Sequence, residues 1–91
     1  MTPPEFDASS PWSLSPEVSL RDEEFGALAY HHGSRRLVFL KSRRLVELAS
    51  VLASHPSADS ALDELVEPAE RVRYVTALGS LARSGVLVER G

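Results

Sequence analysis

The stretch FGALAYHHGSRRLVFLKS, residues 25–42, decides the fold of this 91-residue chain. Two apolar segments flank Gly33-Ser34, and glycine at the first central position suits a two-residue type II′ hairpin turn. A hairpin centred on this turn has a defined register. It pairs Tyr30 with Leu37, Ala29 with Val38, Leu28 with Phe39, and Ala27 with Leu40.

The two faces of this predicted hairpin differ in side-chain size, because neighbouring residues of a strand point to opposite faces. We expect the core face to be the one with the large residues Leu28, Tyr30, Leu37 and Phe39. The opposite face is shallow enough for a partner to pack closely against Ala27, Ala29, Val38 and Leu40.

The sequence before the hairpin predicts a tail and a further strand. Residues 1–11 contain three prolines and no periodicity, so we expect a flexible tail there and one domain over residues 12–91. Apolar residues at even positions from Trp12 to Leu20 have the period of a strand, which Pro16 interrupts. The charged RDEE, residues 21–24, predicts a turn.

Three helices are predicted after the hairpin. Ser42 and Ser57 are N-cap candidates for the first two, and Pro56 ends the first. Pro68 suits the first position of the third helix, and Gly85 suits the left-handed residue after its end. A last apolar segment, residues 86–88, predicts a short strand or a docked tail. Strands followed by helices indicate an α+β domain.

The third predicted helix is apolar around much of its circumference. One arc contains Val72, Val75, Gly79 and Ala82, and the adjoining arc contains Tyr74, Ala77, Leu78 and Leu81. Together they span roughly 220°, whereas a helix buried on one side needs a stripe of about 100°. Either the helix has a second partner along its flank, or a small domain simply wraps its central helix.

Charge is distributed unevenly along the chain. The net charge is −3 with histidine neutral, yet residues 31–44 carry five basic residues and no acidic one. This pattern fits an acidic segment of a partner better than a long polyanion, although a solvated charged edge fits equally well. The chain has no cysteine, no signal peptide and no apolar run that could span a membrane, so a cytoplasmic protein is expected.

Catalytic and metal-binding motifs are absent from the sequence. His31 and His32 are neighbours on a strand, so their rings point to opposite faces and cannot easily share an ion. No metalloprotease motif, phosphate-binding loop or nucleophile motif occurs. We therefore predict that the chain is not an enzyme and uses neither a metal nor a cofactor.

Two binding functions remain. Three helices with a hairpin resemble a winged-helix transcriptional regulator, in which residues 71–85 would read DNA; few groups there suit base recognition. Alternatively, the strand after the turn lies at a sheet edge, where an extended peptide, or a second copy in a homodimer, can add a strand. Arg35, Arg36 and Lys41 would then either bind the peptide or only guard the edge from aggregation.

The strings WSLSPEVS, residues 12–19, and LRDEEFGALAYHHGSRRLVFLKS, residues 20–42, resemble the MftB family of mycofactocin biosynthesis peptide chaperones. That family belongs to the PqqD-like RiPP recognition elements. The resemblance implies a winged helix-turn-helix-like fold with a three-stranded antiparallel sheet followed by three helices. It also implies that the leader of a ribosomally made precursor adds to the third strand, for presentation to a radical-SAM maturase. Neither nucleic acid nor membrane is an expected partner.

Carried onto this sequence, the resemblance implies a peptide-binding groove between one strand and one helix. Its strand is Arg36 to Leu40, preceded by Arg35, and its helical wall comes from residues of the third helix. The predicted binding residues are Arg35, Arg36, Leu37, Val38, Phe39, Leu40, Arg71, Val72, Val75 and Leu78.

Overall fold

The computed structural model describes residues 6–90 and places a sheet before three helices. The described elements are β1 (Trp12–Leu14), β2 (Val18–Glu23), β3 (Gly26–His31), β4 (Arg36–Leu40), α1 (Arg43–Val51), α2 (Ala58–Leu65), α3 (Arg71–Arg83) and β5 (Leu87–Glu89). Single 3₁₀ turns occur at Leu52–Ser54 and Pro68–Glu70. Strands β2, β3 and β4 form a three-stranded antiparallel sheet in that order, and β1 pairs with β5 separately. The predicted α+β fold is confirmed, and the arrangement is compatible with a winged helix.

The β3–β4 hairpin has the predicted register but a different turn. All four predicted residue pairs occur, and His31 opposite Arg36 closes the hairpin. Four residues, 32–35, form the turn, and the residue with a left-handed backbone is Arg35, at φ 59°, rather than Gly33. The predicted two-residue turn is therefore wrong. The register survives because the longer turn is centred on the same two residues.

The assignment of the hairpin faces is also wrong. Ala27, Ala29 and Leu40 are fully buried, whereas Leu37 and Phe39 are 59% and 56% exposed. Helix α1 packs against β3 and β4 on the face with the alanines. Short side chains let a helix approach a strand closely and fill the interface at the density of a protein core. The larger residues are left on the outer face of the sheet.

The segment before β3 divides differently from the prediction. The single strand predicted from Trp12 to Leu20 is two strands, and β1 pairs with β5 instead of continuing into β2. The backbone N–H of Ser15 donates to the carbonyl of Val86 at 2.8 Å, which extends the contact between these two segments. Residues 21–23, expected in a turn, extend β2, and the turn is at residues 24–25. Gly26 follows at φ 150°, where an added Cβ would lie 2.1 Å from the carbonyl oxygen of Leu40.

Residues 6–11 pack against the domain. The ring of Phe6 lies 4.9 Å from that of Trp12, whose indole N–H donates to the carbonyl of Asp7 at 2.8 Å. The first N–H groups of α2 donate to the carbonyls of Ala8 and Ser10 at 2.8 and 3.1 Å, which satisfies groups that lack a partner within the helix. Packed contacts therefore extend N-terminal to the predicted boundary at residue 12. Residues 1–5 of the predicted tail lie outside the described residues.

The first two helices begin at their predicted N-caps, whereas α3 begins at Arg71, after a 3₁₀ turn that starts at the predicted Pro68, and α1 ends at Val51, before a 3₁₀ turn that reaches Ser54. Ser42 Oγ accepts from the N–H of Leu45 at 2.9 Å, and Ser57 Oγ accepts from that of Ser60 at 3.2 Å. Gly85 follows α3 at φ 82°, in the left-handed region that glycine favours. The core between sheet and helices is mainly leucine; its largest fully buried residues are Leu40, Leu48, Leu52, Leu62, Leu78, Val86 and Leu87.

Arg90 secures the end of β5 to the rest of the domain. Its guanidinium donates to the carbonyls of Leu52 and Ala53 at 3.2 and 3.1 Å, to that of Trp12 at 3.2 Å, and to that of His55. Three of these carbonyls lie at or beyond the end of α1, where backbone acceptors lack partners within the helix. A single cationic side chain thus ties the C-terminal strand to α1 and β1.

Candidate functional site

Strand β4 has an unpaired edge. It pairs with β3 on one side, and the described part of the chain supplies no strand on the other side. The N–H of His32 donates to the carbonyl of Glu17 at 2.8 Å, so the even-numbered residues of β3 direct their backbone groups toward β2. The odd-numbered residues of β3 therefore bond β4, and their partners in the register are Arg36, Val38 and Leu40. The backbone N–H and C=O groups of Leu37 and Phe39 point away from the sheet.

The predicted strand residues differ in what they can offer a ligand. Leu37 and Phe39 offer both free backbone groups and exposed side chains. Val38 is half-buried against the core, and Leu40 is fully buried, so the Leu40 side chain cannot meet a ligand. Arg35 and Arg36 are exposed at the beginning of the strand.

The predicted helical wall stays a prediction, and its residues differ in how exposed they are. Leu78 is fully buried in the core, and Val75 is half-buried against it, whereas Val72 is 79% exposed. Arg71 is held by Asp59 and by Asp63, the latter at 2.7 Å. Helical periodicity identifies the apolar arcs of α3, but the rotation of the helix against its neighbours decides which arc faces the core.

A cleft of about 160 Å³ opens beside the C-terminal end of β4. It is lined by Lys41, Ser42, Leu45, Arg73, Tyr74 and Ala77, so it joins the β4–α1 junction to α3. Leu45 is buried, Tyr74 and Ala77 are half-buried, and Lys41 and Arg73 are exposed. The cleft can therefore accept an apolar side chain beside an acidic group. None of the four α3 residues predicted for the wall lines it, although Tyr74 and Ala77 belong to the adjoining arc of the same helix.

The cations of α3 and those in or next to β4 differ in whether they have a carboxylate partner. Hydrogen bonding to Asp63, and then to Asp59, raises the pKa of Arg71, and Arg73 lies 3.9 Å from Glu70. Within residues 6–90, by contrast, Arg35, Arg36 and Lys41 form no ion pair. Positive charge without a carboxylate partner therefore lies at both ends of β4, as it does at Arg43, Arg83 and Arg90.

The histidines make local contacts rather than a shared site. His31 Nδ1 accepts from the N–H of Ser34 at 3.0 Å, and His32 Nε2 lies 2.8 Å from Ser19 Oγ. In the part of the chain that the structure describes, no group of three or more His, Asp or Glu side chains could hold a metal ion. No helix among residues 6–90 is long and apolar enough to cross a membrane.

Comparison with known proteins identifies relatives of this chain. A family profile described as the Peptide chaperone MftB family matches residues 11–88. Peptide chaperone MftB of Mycolicibacterium smegmatis is 46% identical over 84 residues, which is 91% of this chain and 82% of the relative. The protein of the same name from Mycobacterium tuberculosis is 42% identical over 87 residues, 94% of this chain and 80% of the relative. No solved structure gives a significant match.

Proposed function

Because this chain belongs to the peptide chaperone MftB family, we propose that it is a non-catalytic chaperone that binds the leader of the mycofactocin precursor peptide. The bound precursor is then presented to a radical-SAM maturase, in the cytoplasm. The family name describes a chaperone and not an enzyme, which agrees with the prediction from the sequence. The observation that carries the proposal is the unpaired edge of β4, where Leu37 and Phe39 direct their backbone groups outward.

Strand addition at this edge needs no rearrangement of the domain. An extended leader alongside β4 would accept hydrogen bonds from the N–H groups of Leu37 and Phe39 and donate to their carbonyls. These main-chain bonds are independent of sequence, so they supply affinity without selecting the peptide. Specificity has to come from side chains next to the edge.

The cleft beside Ser42 supplies one source of specificity. A leader that follows β4 to its end reaches Leu45 and Tyr74, where one apolar side chain fits. Arg36 and Lys41, which have no carboxylate partner within residues 6–90, favour carboxylates in the leader. We therefore expect a leader with an apolar residue flanked by Asp or Glu.

The alternative function, DNA binding, has less support. A recognition helix needs free cations to contact phosphates, and a protein that neutralises more phosphates binds more tightly. Arg71 is already held by two carboxylates and Arg73 lies near Glu70, so two of the three arginines of α3 have acidic neighbours.

Amide hydrogen exchange tests the proposal directly. In the free chain, the amides of Leu37 and Phe39 should exchange fast, while those of Val38 and Leu40 should be protected by β3. Addition of the leader peptide should protect Leu37 and Phe39 and leave the other two unchanged. Saturating leader that leaves both outward amides unprotected would exclude strand addition. Protection that grows with protein concentration in the absence of leader would indicate a homodimer through the edge.

A further inference from the structure

The outer face of the three-stranded sheet is an apolar surface without a cover in the described structure. Leu37 and Phe39 on β4 are 59% and 56% exposed, and Phe25 in the β2–β3 turn is 42% exposed, with its ring 5.8 Å from that of Phe39. Half-buried Leu28 and Tyr30 adjoin them on β3. At about 200 Å² for each large side chain, the three most exposed residues present roughly 300 Å², the size of patch that is often functional on a monomer.

A leader added to β4 would not cover this face. The added strand would lie in the plane of the sheet, about 4.8 Å from β4 and about 10 Å from β3. Side chains interact across a sheet over about 7–8 Å, so Leu28 and Tyr30 lie beyond its reach. Phe25, whose ring lies 5.8 Å from that of Phe39, is next to the C-terminal end of β4, but Leu28 and Tyr30 remain uncovered. The outer face therefore needs an occupant other than the strand at the edge.

Charge around the outer face indicates which occupant fits. Arg35 just before β4 and Lys41 just after it border the outer face, and neither has a carboxylate partner within residues 6–90. Arg21 lies on β2 opposite Leu28 of β3, and its side chain is 81% exposed. It adds a positive charge to the outer face, where it forms an ion pair with Glu23. Two copies docked face to face would bring these cations together, and like charges across an interface oppose association.

We propose that the outer face of the sheet docks a folded partner protein whose own apolar patch is bordered by Asp and Glu. The inference rests on the proposed function in one respect, since the radical-SAM maturase named there is the protein used to test it. Docking on this face leaves the edge of β4 free, so the leader and the partner protein can bind the same domain at once. The two surfaces meet at Leu37 and Phe39.

The test uses variants on the outer face that lie beyond the reach of the leader. The double variant Leu28→Thr, Tyr30→Thr removes apolar surface while keeping residues suited to a strand on β3. We expect it to bind the maturase at least tenfold more weakly and the leader peptide within twofold of the parent chain, both measured by calorimetric titration. Val88→Thr, which changes an exposed valine on β5, is the matched control and should leave both affinities unchanged.

A second variant covers the case in which the double variant does not fold. Arg21→Glu reverses an exposed charge on β2, and it should weaken maturase binding about tenfold at low salt and little at high salt.

Three results would overturn the inference. The first is a folded double variant that binds the maturase as tightly as the parent chain does. If only Arg21→Glu folds, unchanged maturase binding by that variant has the same meaning. Another is a double variant that loses leader binding as strongly as maturase binding. The third is a dimer of the parent chain that becomes a monomer in the double variant, because the occupant would then be a second copy. Failure of the parent chain to bind the leader would instead refute the leader-binding function, and the maturase titrations would still decide the inference.

Discussion

Proline substitution at neighbouring positions of β4 distinguishes its outward backbone groups from its inward ones. The N–H of Leu37 points to the free edge, whereas that of Val38 bonds the carbonyl of Ala29, a fully buried residue. Leu37→Pro should therefore leave the fold intact and weaken leader binding, while Val38→Pro should damage the fold itself. Leu37→Ala is the matched control, because it shortens the same side chain and keeps the N–H.

The expected magnitudes differ clearly between the two positions. Proline is tolerated on an edge strand where the N–H faces solvent, so Leu37→Pro should cost less than about 1 kcal/mol of unfolding free energy. Val38→Pro leaves a buried carbonyl without its donor, which costs about 1–3 kcal/mol, and this is a large part of the 5–10 kcal/mol or so expected for a domain of this size. In the complex, loss of the Leu37 donor together with the bulk of the proline ring should cost about 1.4 kcal/mol, which is about tenfold in Kd.

Two measurements check these values. Urea unfolding followed by circular dichroism gives the free energies, and calorimetric titration with the leader peptide gives the Kd values. A folded Leu37→Pro variant that binds within twofold of Leu37→Ala would refute strand addition at this residue. Equal stability of Leu37→Pro and Val38→Pro would refute the assignment of the inward and outward groups.

Other substitutions test the packing around the sheet. Gly26→Ala should lower the unfolding free energy by about 3 kcal/mol or more in urea titrations, because a Cβ would overlap a β4 carbonyl at 2.1 Å; Gly33→Ala, whose Cβ meets the flexible end of a glutamate, should cost under about 1 kcal/mol. Arg90→Met removes the donor to four carbonyls and should cost about 2 kcal/mol, or about 10 °C in Tm by calorimetry. Hydrogen bonds from Ser9 lower the pKa of Asp7 below 3.8, so stability from this carboxylate is present above pH 3.8 and is lost as pH falls through the lowered pKa. An NMR titration should find that low pKa, Ser9→Ala should raise it toward 3.8, and an unchanged value would contradict this cause.

Much of the fold could be predicted because its determinants are local. The register of the hairpin depends on the position of its turn, and a four-residue turn centred on Gly33-Ser34 has the same register as a two-residue turn. Ser42 and Ser57 cap helices because a serine before an apolar periodic segment satisfies the first free N–H groups. The turn type was wrong because the left-handed residue is Arg35, and side-chain preference alone points to the glycine.

The candidate site was predictable only along the strand. An edge strand between a hairpin turn and a helix can be recognised from residues 33–42, and the match to the MftB family, over residues 11–88, includes this stretch. The helical side was not predictable in detail, since Leu78 faces the core while Tyr74 and Ala77 line the cleft. Residues of both arcs are apolar, so periodicity could not rank one arc above the other.

The sequence by itself determined the register of the β3–β4 hairpin and the N-caps of α1 and α2, because these depend on neighbours in the chain. The pairing of β1 with β5, which are distant in the chain, was decided only in the tertiary structure. The tertiary structure alone decided which face of the hairpin is buried. Burial favours large apolar residues, but close approach of α1 favours small ones, and here Ala27 and Ala29 face the helix while Leu37 and Phe39 remain outside. That choice depends on where a distant element packs. It also leaves an apolar surface next to the free edge of β4.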